Sequence, residues 1–140
     1  MRVNLVKMCV GIDDIEQLRY WQAKRLKGAA DKKLLHITRN RPKREEELLD
    51  GGSLYWVIKG QIRVRQRVIG LDDRVKEDGK PACGLVLDPE LVATEFRAMR
   101  PMQGWRYLEA KDAPRDLRKG DELGDMPPKL IAELRALGIL

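Results

Sequence analysis

Three arginines stand at every second position in one stretch of this chain. Arg63, Arg65 and Arg67 lie within residues 53–71, SLYWVIKGQIRVRQRVIGL, which contain neither a proline nor an acid. Side chains two positions apart on a β-strand share a face at a spacing of roughly 6.5–7 Å, so a strand here would place three guanidiniums in a row. Each guanidinium can bind a phosphate through two parallel hydrogen bonds. The pattern predicts a surface for a polyanion, with nucleic acid as the partner.

Aromatic side chains near such a row could stack on bases. Trp56 precedes the arginines, and Trp105 and Tyr107 flank Arg106 later in the chain. Stacking of a base on an aromatic ring contributes about 1–3 kcal/mol. Aromatics at these positions also form cores, and the arginines could pair with acids such as those at residues 45–47, so both interpretations stay open. The predicted nucleic-acid-binding residues are Arg39, Trp56, Lys59, Arg63, Arg65, Arg67, Trp105, Arg106 and Tyr107.

A catalytic alternative depends on His36, the single histidine and the one side chain that ordinarily titrates near neutral pH. Cys9 or Cys83 would be the nucleophile, but apart from Gly84 neither has a setting that activates a thiol. Glycine-rich phosphate loops are missing from the sequence, and one histidine without a close cysteine pair supplies no zinc ligand set. We therefore expect a non-catalytic domain without metal or cofactor, with a small cysteine- and histidine-dependent enzyme as an alternative.

The composition is that of one globular domain spanning residues 1–140. The chain is 43% hydrophobic and 36% charged, with a net charge of +6 and a pI near 9.5. No run approaches the roughly 20 apolar residues of a membrane-spanning helix, and Asp13 and Asp14 stand where a signal peptide would have its cleavage site. Two distant cysteines favour reduced thiols, so we expect a cytoplasmic protein. Ten lysines or arginines lie between Arg19 and Arg44 against the single acid Asp31, which favours a basic face.

The first third of the chain alternates strands and helices. Residues 3–10 read as a strand that is largely apolar on both faces. Asp13 or Asp14 caps a helix that continues to about Lys27, with Ile15, Leu18, Trp21 and Leu26 as its buried stripe. A short strand at residues 34–39 and a brief helix at 43–49 follow.

Residues 53–71 allow two structures. A tight turn at Lys59-Gly60 makes a hairpin in which Tyr55 is opposite Val64, Val57 is opposite Ile62, and Trp56 stands across from Arg63 on the other face. A straight strand with a kink at Gly60 would instead bury Trp56. We favour the hairpin because so long a straight strand is unusual. In both structures the three arginines share a face.

The remaining elements complete an α+β fold. Strands are predicted at residues 71–75 and 82–87, joined by a turn at Asp78-Gly79, and again near 92–97 and 105–108. Asp125 and two prolines begin a last helix with a leucine stripe at Leu130, Leu134 and Leu137. The prediction is a curled mixed or antiparallel sheet, or a small open β-barrel, with two main helices. The leucine stripe supports another alternative, a protein-interaction module or homo-oligomer.

Four segments carry a resemblance to a known family. They are LVKMCVG, ELLDGGSLYWVIKGQIRVRQRVIGL, LVLDPELVATE and RPMQGWRYL, and they resemble a bacterial family without an assigned role, domain of unknown function 1489. The hairpin YWVIKGQIRVRQRVIGL is more distantly similar to the central strands of PUA-like barrels of the ASCH and EVE groups. That second resemblance implies an RNA-binding barrel, and neither resemblance supplies catalytic residues.

Overall fold

The computed structural model describes residues 2–29 and 32–117, which form a mixed seven-stranded sheet with two α-helices. The sheet does not close into a barrel, and the predicted α+β class with a curled sheet is confirmed. In chain order the elements are β1 (Val3–Met8), α1 (Ile15–Gly28), β2 (Leu34–Thr38), α2 (Glu45–Leu49), β3 (Ser53–Ile58), β4 (Gln61–Val75), β5 (Pro81–Leu87), β6 (Val92–Ala98) and β7 (Trp105–Glu109), followed by a 3-10 turn at Ala110–Asp112. The predicted C-terminal helix lies outside the described residues.

Strand β4 organises the sheet. The strand order is β2-β5-β4-β3-β1-β7, and β6 also pairs with β4. Only the β1–β3 pair is parallel among the pairs of the described strands. β4 is a single strand of 15 residues, so the prediction of separate short strands before and after residue 70 is wrong. A bulge between Val68 and Gly70 lets it change partners, from β3 and β6 in its first part to β5 in its second.

The predicted hairpin at Lys59-Gly60 is confirmed. Both residues have positive φ, 50° and 80°, as a two-residue turn that matches strand twist requires. Val57 is opposite Ile62, as predicted, but Trp56 is opposite Val64 and Tyr55 is opposite Arg65. The predicted register beyond Val57 is therefore wrong by one residue.

Helix α1 begins where the sequence predicts. The side chain of Asp14 accepts a hydrogen bond of 2.7 Å from the backbone N–H of Gln17, which is N-terminal capping. Leu18 is buried, but Trp21 is 47% exposed, so its predicted place in the buried stripe is wrong. The position one turn beyond Leu18 that faces the sheet is held by Gln22, whose amide bonds to a side chain of β4.

The core has two parts because the sheet is covered on both faces. Adjacent residues of β1 and of β3 alternate between them, with Leu5 and Trp56 in one cluster and Val6 and Val57 in the other. Both helices contribute to the first cluster, whereas the second is covered by methionines from β1 and from the segment between β6 and β7. No helix among the described residues is long and apolar enough to span a bilayer.

Candidate nucleic-acid interface

The predicted row of three arginines does not form. Arg63 is the extra residue of a β-bulge, because the pairing of β4 with β3 shifts between Ile62 and Val64. Its side chain is 2% exposed, and burial lowers the pKa of its guanidinium, with the Asp14 carboxylate acting in the opposite direction. Nε and Nη1 of Arg63 have no hydrogen-bond partner among the described residues. The prediction that Arg63 shares an accessible face with the other two arginines is therefore wrong.

Arg65 is engaged in an ion pair. Its Nε and Nη2 donate to the two carboxylate oxygens of Asp116, both at 2.7 Å, and Nη1 donates to Oγ of Ser53 at 3.0 Å. These bonds raise the pKa of Arg65 and lower that of Asp116, as expected for a bidentate pair. A phosphate would have to displace this carboxylate in order to bind Arg65.

Arg67 is exposed and lines a cleft of about 500 Å³ beside Arg65. Arg2 is the third cation of this cleft, and three acids face them. The acids are Asp88, Glu90 and Asp116. The arginine-bearing side of the sheet is therefore balanced in charge rather than basic.

Trp56 is not a surface stacking platform. It is 3% exposed, and its indole N–H donates to Oε1 of Gln66 at 2.8 Å. Its ring meets the ring of His36 edge-on, with 4.9 Å between centroids. The expectation that a hairpin sets Trp56 beside the arginines fails because the bulge places Val64, not Arg63, opposite it.

The remaining predicted residues are spread over the surface. Trp105 donates its indole N–H to the backbone oxygen of Asn40 at 2.9 Å and packs edge-on against Tyr107. The hydroxyl of Tyr107 accepts from the backbone N–H of Arg44, whose guanidinium lies 5.2 Å from the tyrosine ring. These contacts serve to fix the edge strand β7. Arg39, Lys59 and Arg106 are exposed and belong to three different elements or turns.

Helix α1 carries exposed aromatic and basic residues that the sequence prediction missed. Tyr20 is 62% exposed, and its ring packs edge-on against Trp21 with 5.6 Å between centroids. The ammonium of Lys24 lies 5.2 Å from the Trp21 ring, a cation–π contact. The α1 surface, as we define it, comprises Arg19, Tyr20, Trp21, Lys24, Arg25 and Lys27. The single acid of this helix, Glu16, is paired with Arg19 at 2.7 Å.

A signal for these aromatics was present in the sequence. Adjacent residues on a helix point about 100° apart, so Tyr20 and Trp21 cannot both face a narrow buried stripe. Four basic residues in the same helix make the rest of its circumference a solvated face. Two aromatics at neighbouring positions therefore indicate that at least one of the two rings is exposed, which the buried stripe alone does not show.

A cavity of about 520 Å³ opens between α1 and the sheet. We call it the α1 pocket. Its wall contains Trp21 and Trp56 together with aliphatic side chains such as Leu18 and Leu87, and its polar lining includes Lys7, Cys9, Gln22, Arg25 and His36. None of the described residues that line it is acidic.

Two titratable groups of the α1 pocket, His36 and Cys9, are held in their neutral forms. Burial lowers the pKa of His36 to about 4, helped by the positive charges of Lys7 and Arg25. Burial also raises the pKa of the Cys9 thiol to about 12. A thiolate paired with an imidazolium, which the catalytic alternative requires, is disfavoured at neutral pH for both partners. Cys83 is buried elsewhere, paired in register with Thr38, and its pKa is also raised by burial.

No group of three or more potential metal ligands is found in the part of the chain that the structure describes. The protein-family model described as Protein of unknown function (DUF1489) matches residues 5–140 of the chain. No curated protein and no solved structure matches the chain significantly, so the similarity to PUA-like barrels is not confirmed. Because the matched region covers almost the whole sequence, the chain belongs to the DUF1489 family of proteins of unknown function.

Proposed function

We propose that this protein binds single-stranded nucleic acid, RNA in preference to DNA, on the α1 surface. The observation that carries the proposal is the exposed pair of Tyr20 and Trp21 within a basic helix. Exposed rings flanked by cations are the usual platform for unpaired bases, since every base has a face that can stack. We propose RNA because recognition of RNA mostly targets single-stranded segments, whose bases are free to stack on aromatic side chains, whereas DNA is mostly duplex.

The charge distribution supports this location over the sheet face. Lys24 and Arg25 have no acid paired with them among the described residues, whereas Arg65 is occupied by Asp116. A phosphate near α1 could therefore contact both Lys24 and Arg25 without displacing an acid from an existing ion pair. Arg67, Arg39, Lys59 and Arg106 remain candidates for additional phosphate contacts, which would extend the site beyond the helix.

Fluorescence anisotropy with labelled single-stranded RNA, single-stranded DNA and duplex RNA tests the proposal. The Tyr20→Ala/Trp21→Ala variant should weaken RNA binding about 5- to 150-fold, the range expected when one stacked base is lost. Phe96→Ala is the matched control, because Phe96 is an aromatic side chain that is 36% exposed and lies on β6 rather than on α1. Equal losses in both variants, or no binding of single-stranded RNA at low salt, would contradict the proposal.

Variants that remove one positive charge show where the phosphate backbone of the nucleic acid binds. Lys24→Gln should lower the affinity and make the salt dependence of binding shallower by about one unit of slope. Arg67→Gln serves as the comparison on the sheet face. If only Arg67→Gln changes the slope, nucleic acid binds to the sheet and the location on α1 is wrong.

A further inference from the structure

We infer that the α1 pocket is a binding site for a nucleoside monophosphate, with the phosphate held by Lys7, Arg25 and His36. The inference rests on the proposed function, because it assigns the pocket beneath the α1 surface to one nucleotide of the same kind of ligand. It goes beyond that function in requiring a negatively charged group inside the pocket.

The size and the apolar walls of the pocket suit a flat ring. A volume of about 520 Å³ lies within the roughly 300–1,000 Å³ range of small-molecule sites. Two indole rings and several leucines form the wall, and Trp21 belongs to both the wall and the α1 surface. A base that leaves the surface of α1 therefore has an apolar cavity next to it.

Two polar side chains of the wall are not available to a ligand. The side-chain amides of Gln22 and Gln66 exchange two hydrogen bonds of 2.7 Å, and the Trp56 indole N–H is bonded to Gln66. Trp56 and Gln22 consequently contribute shape to the pocket rather than recognition. This leaves Lys7, Arg25 and His36 as the groups that could bind a polar part of the ligand.

His36 shows an unmet hydrogen-bonding requirement. Its Nε2 is inaccessible to solvent and has no hydrogen-bond partner in the described residues, although the side chain lines the pocket. Buried polar atoms in folded proteins are nearly always paired. A ligand oxygen would satisfy it once the imidazole ring turns Nε2, carrying the proton of the neutral form, toward the pocket.

The charges around His36 specify an anion. Lys7 on β1 and Arg25 on α1 are both close enough to disfavour protonation of the imidazole, and the other titratable group of the lining is the neutral thiol of Cys9. Two positive charges match a phosphate monoester, which carries about −1.5 to −2 at neutral pH. The only side-chain hydrogen bond of Arg25 among the described residues is a long one, 3.4 Å to the backbone oxygen of Leu35, so its guanidinium can turn toward a phosphate.

Titration of the full chain with the four nucleoside 5′-monophosphates, their nucleosides and inorganic phosphate tests the inference, with quenching of tryptophan fluorescence and calorimetry as readouts. At least one monophosphate should bind 10-fold or more tightly than its nucleoside. Lys7→Gln and Arg25→Gln should each weaken the monophosphate about 10-fold while leaving the nucleoside unaffected. Lys43→Gln is the matched control, since Lys43 is exposed, does not line the pocket and lies outside the α1 surface. His36→Phe, which keeps an aromatic ring against Trp56, should also weaken the monophosphate selectively.

The outcomes separate this inference from the proposed function. If single-stranded RNA binds but no monophosphate binds more tightly than its nucleoside, the phosphate site is wrong and the proposed function stands. If Lys43→Gln weakens monophosphate binding as much as Arg25→Gln, the attraction is a general effect of positive charge and the site is again wrong. Tight monophosphate binding without any RNA binding would support the pocket and overturn the function of the α1 surface. Melting temperatures of all variants verify that each protein is folded.

Discussion

The side chains of Gln22 and Gln66 form a reciprocal pair, in which each amide nitrogen donates to the oxygen of the other at 2.7 Å. The pair joins α1 to β4 in a buried position, since Gln66 is fully buried. Gln66 also accepts from the Trp56 indole and donates to the backbone oxygen of Asp88 at 3.1 Å. The Gln66 side chain thus holds three parts of the structure together: helix α1, the Trp56 ring in the wall of the α1 pocket, and the segment that follows β5.

Gln66→Leu should lower the free energy of unfolding by several kcal/mol, because each buried polar group left without a partner costs about 1–3 kcal/mol. Urea denaturation followed by tryptophan fluorescence measures the loss. Gln61→Leu is the control on the same strand, since Oε1 of Gln61 is buried without a partner among the described residues. That control should change stability little, and equal losses would show that the network around Gln66 does not stabilise the fold.

Arg63→Met should leave stability unchanged or raise it. The substitution keeps an unbranched side chain that fills most of the stem's space, and it removes a charge whose Nε and Nη1 are unpaired within the described residues. Arg63→Ala should instead cost roughly 2–4 kcal/mol, because it leaves a cavity in a packed region. Thermal melting of the two variants tests this. A large loss in Arg63→Met would show that the guanidinium has a stabilising partner.

His36 should make the stability of the protein depend on pH. Its pKa is lowered to about 4 in the folded state, against an ordinary value near 6.5. The unfolded chain therefore binds a proton that the folded chain does not, so stability is full above about pH 6.5 and is lost as the pH falls toward 4. The loss is up to roughly 3 kcal/mol. His36→Phe should lack this part of the pH dependence when urea denaturation is compared at pH 7.5 and pH 5. If the wild-type protein and His36→Phe lose the same stability between the two pH values, the lowered pKa is contradicted.

Gly52→Ala should prevent folding or cost more than about 3 kcal/mol. A Cβ at this position would lie 2.2 Å from the backbone oxygen of Val3 and 2.5 Å from that of Leu48, and neither backbone atom can move without breaking its element. Gly28→Ala is the control at the end of α1, where an added Cβ meets nothing within 4 Å. It should be neutral or stabilising by about 0.5–1 kcal/mol. Soluble yield and melting temperature distinguish the two.

Local rules predicted the elements well. The capping of α1 by Asp14 and the turn at Lys59-Gly60 follow from side-chain and backbone preferences of a few neighbouring residues. The strand that begins at Val3 is buried on both faces, as its largely apolar pattern indicates.

The positions of individual functional side chains were harder to predict. A bulge changes which face every later residue occupies, and nothing in the alternation of Arg63, Arg65 and Arg67 reveals that Arg63 is the inserted one. Either Trp21 or Gln22 could face the sheet on the buried side of α1. Gln22 does so because its side chain bonds to Gln66, which is 44 positions later in the sequence. Contacts between residues distant in sequence therefore set which side chains of the candidate site are exposed, whereas local sequence patterns predicted the helices and strands.

The pairing of β1 has a consequence for synthesis of the chain. Its Val3 end lies opposite Glu109 of β7, and its other neighbour is β3, so the first strand stays without either partner while the ribosome makes α1, β2 and α2. The β3–β4 and β4–β5 hairpins join residues close in sequence and can assemble as soon as they emerge. We expect an open edge on β1 until β7 arrives, which leaves the nascent chain exposed to aggregation or to chaperones until its last described strand is complete.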